Sequence, residues 1–192
     1  MSSDYHHGNL RNALVRSARV QISRKGAAAL NLRALAREVG VTHQAVYRHF
    51  ADKEALLEAV AQEGFDELAD ALHESISGEE ELEPTLYALA NAYLGFALEY
   101  PEITRVMFAL IPAEARMKNE PLYAASKRAY AALTQSVEML EGDMLVDSAV
   151  VWATLHGLAK LTIEKQVPKL ADPAQREEVV ARTVRVLAKG LG

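Results

Sequence analysis

The 192-residue chain contains no cysteine. This absence excludes disulfide bonds, thiol nucleophiles and zinc sites with thiolate ligands. The chain also lacks an apolar run close to the roughly 20 residues that a transmembrane helix needs. Its N-terminal segment lacks the continuous apolar core of a signal peptide. We therefore expect a cytoplasmic protein with no membrane partner.

Strand-like alternation of apolar and polar residues is missing as well, and apolar residues instead recur at helical spacing. The predicted fold class is all-α with about nine helices. It comprises an N-terminal three-helix domain with a helix-turn-helix, and a helical C-terminal domain for ligand binding and dimerisation. We place these domains at residues 1–53 and 76–192. A helix over about residues 53–75 connects them and ends at the acidic linker SGEEEL.

Motifs of catalysis and cofactor binding are also missing from the sequence. No Ser/His/Asp set, glycine-rich phosphate loop, metal-ligand spacing or isolated carboxylate pair stands out. The acidic residues mostly fall on helix faces and in the linker, where they are solvated. We therefore predict that the protein is not an enzyme and has no cofactor and no metal site.

The net charge of −5 argues by itself against a nucleic-acid partner, but the charges are unevenly distributed. Residues 1–53 carry nine Lys/Arg and three Asp/Glu, a net charge of +6. The remaining residues carry 12 basic and 23 acidic side chains, a net charge of −11. A basic N-terminal segment on an acidic chain is expected when only that segment meets phosphate. The alternative, chance clustering on solvated helix faces, is less favoured because the basic segment coincides with the helix-turn-helix.

The segment from residue 32 to residue 53, LRALAREVGVTHQAVYRHFADK, has the spacing of a helix-turn-helix. Gly40 lies where the chain must turn sharply, and glycine adopts a left-handed conformation at little cost. Asn31, Thr42 and Asp52 precede three helical segments and are good N-caps. The second helix of such a motif is the one that enters the DNA major groove.

Polar side chains on and beside this motif are our candidate DNA contacts. Gln44 carries the donor and acceptor that match an adenine edge in the major groove, and Arg48 carries the donors that match a guanine edge. Lys53 would bring a positive charge to a helix N-terminus, where N–H groups also bind an anion. For Arg33 and Arg48, base or phosphate contact and a solvated side chain are equally good interpretations. The full candidate set is Asn31, Arg33, Thr42, His43, Gln44, Tyr47, Arg48, His49 and Lys53.

The same segment closely resembles the N-terminal domain of TetR/AcrR-type transcriptional regulators. The matching residues are Ala36, Gly40, Val41, Thr42, Tyr47, His49, Phe50, Lys53 and Leu56. Asn31 stands where threonine is usual, and Gln44 stands where a small residue is usual. Further along, Trp152-x-x-x-His156-Gly157 resembles the WHG type of C-terminal domain in this family.

The resemblance implies a homodimer whose two copies bind a DNA operator, with Tyr47 and His49 hydrogen-bonded to backbone phosphates. It also implies a pocket for a small-molecule effector in each C-terminal domain, and repression that the effector relieves. The last two helices are unusually apolar for a monomer surface, so we expect the homodimer to form through them.

Aromatic and methionine side chains in the C-terminal part are candidate effector contacts because several combine an apolar ring with a polar tip. Side chains of this kind at helical spacing are more often ordinary core. For His156 we favour a structural role over contact with the effector. The candidate set is Tyr93, Phe96, Met107, Phe108, Tyr130, Trp152 and His156.

The sequence thus predicts a DNA-binding regulator, most simply a repressor released from a near-palindromic operator by an apolar effector. The alternative is a helical small-molecule carrier or interaction protein without specific DNA binding. That alternative explains the apolar C-terminal part but leaves the basic segment with Tyr47, His49 and Lys53 unexplained.

Overall fold

The computed structural model describes residues 3–76, 81–138, 140 and 142–191, with the backbone alone for residues 3–9. These residues form eleven α-helices, a 3-10 turn at Ala27–Ala29 and a π-helical segment at Val106–Leu110. The helices are α1 Ser3–Lys25, α2 Leu32–Val39, α3 His43–Tyr47, α4 Lys53–Ser75, α5 Leu82–Glu99, α6 Pro101–Arg105, α7 Ala113–Lys118, α8 Glu120–Val137, α9 Met144–Ile163, α10 Pro168–Ala171 and α11 Pro173–Leu191.

The all-α prediction is confirmed, and α4 has the bounds that the sequence indicated. Two short helices were not expected. α7 forms because AEARMK follows Pro112 and consists of residues that favour helices. α10 begins with Pro168, which suits a first helical turn. α1 starts at Ser3 rather than near Asn9, so it includes most of the predicted N-terminal arm. Residues 77–80 of the predicted linker lie outside the described residues.

The chain divides into two compact units. The head unit comprises Met1–Gly64 and Glu102–Tyr123, and the body unit comprises Phe65–Pro101 and Ala124–Gly192. Helix α4 contributes residues 53–64 to the head unit and residues 65–75 to the body unit. The head unit therefore contains all of α6 except Pro101, together with the π-helical segment and α7, in addition to the helix-turn-helix.

The core of the head unit fixes the helix-turn-helix geometry. Leu14, Ile22 and Leu35 are fully buried, and Val46 joins them from α3. Packing of these apolar side chains drives the three helices together, since burying one such side chain contributes about 1.5–3 kcal/mol. Gly64 on α4 permits a close approach, because a Cβ there would lie 2.7 Å from the Met107 sulfur.

The turn between α2 and α3 depends on Gly40, which has φ 76° and ψ 30°. The N–H of Val41 donates to the carbonyl of Ala36 at 2.9 Å, which closes the end of α2. A Cβ on Gly40 would meet no heavy atom within 4 Å, so space is available and only the backbone conformation restricts the residue.

Gly40→Ala is expected to lower the free energy of unfolding by about 1–2 kcal/mol, because an L-residue is strained in the left-handed region. Gly40→Asn should cost less, since asparagine tolerates this conformation better. Urea unfolding of the three proteins measures the difference. Equal stability of wild type and Gly40→Ala would show that the turn does not need glycine.

The body unit is built around α5, whose residues Leu86, Leu89 and Tyr93 are almost completely buried. α9 and α11 both pack on α5. Asp143 caps α9 by accepting from the N–H groups of Leu145 and Val146 at 3.0 and 3.3 Å. The packing of α9 and α11 on α5 places the inner side of each of these helices in one apolar core.

Helix α9 is the one helix in the described part of the chain that is long and apolar enough to cross a membrane. Core helices of soluble proteins meet the same criterion of length and composition. Only 28% of its most apolar 18-residue stretch is buried within the chain. A large apolar helix surface therefore faces away from the protein's own core.

Candidate nucleic-acid interface

The N-terminus of α2 is held by Asn31. Its Oδ1 accepts from the N–H groups of Arg33 and Ala34 at 2.9 and 3.2 Å, which confirms the predicted cap. The side chains of Asn31 and Arg33 are both exposed. The cap thus fixes the direction in which the first turn of α2 presents its polar groups.

Helix α3 is short, and Thr42 fixes its start. The Thr42 hydroxyl accepts from the N–H of Ala45 at 3.2 Å, as predicted for a cap. Because Val46 points into the core, its neighbours Gln44, Tyr47 and Arg48 remain exposed. These three residues are therefore accessible to a partner.

The aromatic residues of α3 restrain each other. The His43 and Tyr47 rings lie edge to face with centroids 4.7 Å apart. Tyr47 is 46% exposed, so this contact orients its ring without covering it. His49 is half-buried in the turn after α3, and the adjacent Phe50 side chain is buried.

Lys53 stands at the first position of α4. Its ammonium donates to the carbonyl of Ala28 at 3.0 Å. Asp52 caps the same helix by accepting from the N–H of Ala55 at 2.7 Å. Lys53 therefore links the start of α4 to the 3-10 turn before α2, a structural contact that the sequence did not reveal.

A second structural contact that the sequence analysis missed joins α1 to α2. The Ser17 hydroxyl and the Gln21 amide both donate to Glu38 Oε2 at 2.8 Å. Ser17 and Gln21 are four residues apart, so they lie on one face of α1. That spacing was available in the sequence, but their common partner emerges only when the two helices pack.

Four of the candidate effector residues form an aromatic cluster in the body unit: Tyr93, Tyr130, Trp152 and His156. The Trp152 ring lies 5.8 Å from that of Tyr93 and 6.0 Å from that of Tyr130, measured between centroids. Trp152 and His156 are parallel, with centroids 5.7 Å apart. The Tyr93 hydroxyl and His156 Nδ1 are 3.0 Å apart, a hydrogen-bond distance.

The other three candidates lie apart from this cluster. Phe96 is buried on α5, and its ring contacts that of Tyr100 at 5.4 Å between centroids. Met107 and Phe108 belong to the π-helical segment of the head unit, where Phe108 lies 5.9 Å from the Arg116 guanidinium. The seven residues therefore do not belong to one unit.

Burial controls the ionisation of Tyr93 and His156. Desolvation raises the pKa of Tyr93 well above its usual range, so its hydroxyl stays protonated. Desolvation, and then the positive charge of Lys160, lower the pKa of His156. His156 is therefore neutral at pH 7, consistent with a hydrogen bond to Tyr93 within an apolar environment.

The lowered pKa of His156 predicts a loss of stability in acid. Below about pH 6.5 the unfolded chain takes up this proton more readily than the folded chain, so stability falls with pH. The decrease in melting temperature between pH 7.5 and pH 5.5 should therefore be larger in wild type than in His156→Gln, which keeps a hydrogen-bonding side chain. Equal decreases in thermal unfolding experiments would show that His156 does not contribute.

No group of three or more His, Asp or Glu side chains among the described residues is arranged to hold a metal ion. The geometry of the head unit is instead that of two capped helices joined by a left-handed glycine, with exposed polar groups on the second helix. This arrangement can present side chains to a DNA groove.

The comparisons with known proteins agree with this geometry at both ends of the chain. Residues 14–60 match the family model for bacterial regulatory proteins of the tetR family. Residues 86–187 match the model for the tetracyclin repressor-like C-terminal domain. The chain belongs to the TetR family. The C-terminal match includes Trp152, His156 and Gly157.

Solved structures similar to this TetR-family chain cover almost its whole length. A protein with unknown function from Rhodococcus sp. RHA1 has 32% identity and a TM-score of 0.81, with 99% of each chain covered. The fatty acid degradation regulator FadR from Bacillus halodurans has 16% identity and a TM-score of 0.71, with 95% of this chain and 94% of that chain covered. FadR from Bacillus subtilis, in complex with stearoyl-CoA, has 14% identity and a TM-score of 0.71, with 94% and 98% covered. None of the curated proteins matches the chain.

Proposed function

We propose that this TetR-family transcriptional regulator is a cytoplasmic, homodimeric repressor. It binds a near-palindromic operator and is released by a small, apolar effector. The observation that carries the proposal is the exposed polar surface of the short helix α3, held by the Thr42 cap and the Gly40 turn in the basic part of an acidic chain. Soluble carriers do not need such a surface.

In this proposal the nine candidate residues of the head unit divide into two roles. Gln44 and Arg48 contact base edges in the major groove, where a bidentate contact discriminates between bases by about 1–3 kcal/mol. Arg33 contacts a base or a phosphate, and the remaining residues contact phosphates and position α3. The ammonium of Lys53 binds a phosphate in addition to the Ala28 carbonyl, because it has three N–H donors.

The homodimer is proposed to form through α9 and α11. Leu145, Val146 and Val150 on α9 and Val186 on α11 are large apolar side chains that are 40–68% exposed. Small residues at Ala149, Ala153 and Gly157 follow the same side of α9 at intervals of four. Packing this surface against a second copy would form a four-helix interface and remove the exposed apolar area from water.

The effector is proposed to bind in the body unit beside the aromatic cluster. The cluster offers apolar ring surface together with the polar tips of Tyr130 and Trp152, which suits an apolar molecule with few polar groups. The stearoyl-CoA bound to the Bacillus subtilis FadR structure has a long apolar acyl chain beside its charged coenzyme A part, and the FadR chain has the same fold as this one.

A gel-shift experiment with the DNA upstream of the protein's own gene tests the proposed function. We expect a retarded complex. A hydrophobic compound that a thermal-shift screen identifies as a ligand should dissociate this complex. Thermal shift by such a compound without any retarded DNA would favour the carrier alternative. Retardation that no hydrophobic compound affects would contradict the effector part of the proposal.

A further inference from the structure

A basic groove runs along the junction of α1 and α2 in the head unit. It has a volume of about 440 Å³, and Asn31, the cap of α2, is one of its lining residues. Its lining residues are Val20, Gln21, Arg24, Lys25, Ala29, Asn31, Ala34, Arg37 and Glu38. None of these residues except Asn31 was among the candidate DNA contacts.

The charges of the groove favour an anion. Arg24, Lys25 and Arg37 are exposed, and no ion pair joins any of them to the carboxylates whose side chains the structure describes. Glu38 is the one acidic residue in the lining, and its carboxylate already accepts from Ser17 and Gln21. The groove therefore has three cations with available N–H donors against one carboxylate that is held by neutral donors.

The ionisation of Glu38 is consistent with a positive environment. Hydrogen bonds from Gln21 and then Ser17 lower the pKa of Glu38, and the charges of Arg24 and Lys25 lower it further. Glu38 is thus a fixed anion that faces the cations of the groove from α2. Glu38 would therefore repel a polyanion bound in the groove and weaken its binding.

We propose that the basic groove binds the sugar-phosphate backbone of DNA next to the segment that α3 reads. The inference rests on the proposed function, and it extends the DNA contact surface onto α1. Two features favour this occupant. The groove includes Asn31 of the proposed interface, and its three cations can bind the closely spaced phosphates of a DNA strand. Contacts of this kind fix position and affinity but carry no sequence information.

The salt dependence of DNA binding tests the groove through Arg24→Gln/Arg37→Gln. The matched control is Lys118→Gln/Lys169→Gln, which removes the same charge from exposed positions on α7 and α10. The probe is a 40-base-pair duplex selected by wild type from a randomised pool. Each phosphate contact contributes about 0.9 to the slope of log K against log salt concentration. The groove variant should therefore lose about two units of slope per bound chain and bind roughly 10-fold more weakly or worse.

A substitution that makes the groove more positive distinguishes an effect of charge on DNA binding from an effect of misfolding. Glu38→Gln removes the negative charge but can still accept hydrogen bonds from Ser17 and Gln21. It should therefore bind the same duplex several-fold more tightly than wild type, and a cooperative thermal unfolding transition checks that it is folded. A merely structural role of Glu38 predicts equal or weaker binding.

The possible outcomes distinguish failure of the groove proposal from failure of the proposed function. Failure of wild type to retain any duplex would reject the proposed function itself. Specific binding by wild type with the same slope in the groove variant would overturn the groove alone. Stabilisation of wild type but not of the variant by inorganic phosphate, with an unchanged DNA slope, would assign the groove to free phosphate and would also overturn the proposal.

Discussion

Ala153→Arg is expected to convert the protein to a monomer and to lower its affinity for the operator by about 100-fold or more. Ala153 is exposed in the middle of the apolar surface of α9. An arginine there would place a charge and a long side chain between the two copies of α9 in the proposed interface. Each head unit would then bind its half-site alone, and linkage of two binding modules contributes about 10²–10⁴-fold to affinity.

The control for this substitution is Ala131→Arg on α8, which is also an exposed alanine in a helix but lies outside the proposed interface. We expect it to remain dimeric and to bind DNA as wild type does. Light scattering at micromolar concentration gives the oligomeric state, and a gel shift gives the affinity. A dimeric Ala153→Arg protein with wild-type affinity would contradict the assignment of α9 to the interface.

Gln44→Ala is expected to change which operator sequences are bound rather than how strongly DNA is bound in general. Gln44 is exposed on α3 and carries the donor and acceptor that match an adenine edge. Its loss should remove about 1–3 kcal/mol of discrimination at one base pair of each half-site. The measurement is competition between the selected duplex and duplexes with single base changes.

Tyr47→Phe is the matched comparison, since it removes one hydroxyl from the same short helix. We expect it to weaken binding to all duplexes about equally, because a lost hydrogen bond to a charged group costs about 1.5–3 kcal/mol. An unchanged base preference in Gln44→Ala would contradict base contact by Gln44. An altered base preference in Tyr47→Phe would contradict the assignment of Tyr47 to phosphate contact alone.

The local structure of the helix-turn-helix was predictable because it depends on short-range chemistry. Asn31 and Thr42 cap the helices, and Gly40 adopts the left-handed conformation, as the sequence indicated. A cap requires only a side-chain oxygen close to a backbone N–H two or three residues along the chain, and the turn requires only a residue that tolerates positive φ. The two-helix motif could therefore be predicted without knowledge of how the helices pack.

Contacts between distant segments were not predictable in the same way. Nothing in the sequence shows that the Lys53 ammonium reaches the Ala28 carbonyl, or that Glu38 meets two residues of α1. The same reason explains why the candidate effector residues do not form one group. Helical spacing predicts that Met107 and Tyr93 are both buried, but it does not show that Met107 belongs to the head unit and Tyr93 to the body unit.

Selection of duplexes from a randomised pool by the wild-type protein tests the central claim most directly. We expect an inverted repeat with half-site centres about one helical turn apart, bound by two copies of the chain. We also expect preference for this duplex over a scrambled one at physiological salt. Failure to enrich any sequence, with equal binding to the selected and scrambled duplexes, would contradict the claim that α3 reads an operator.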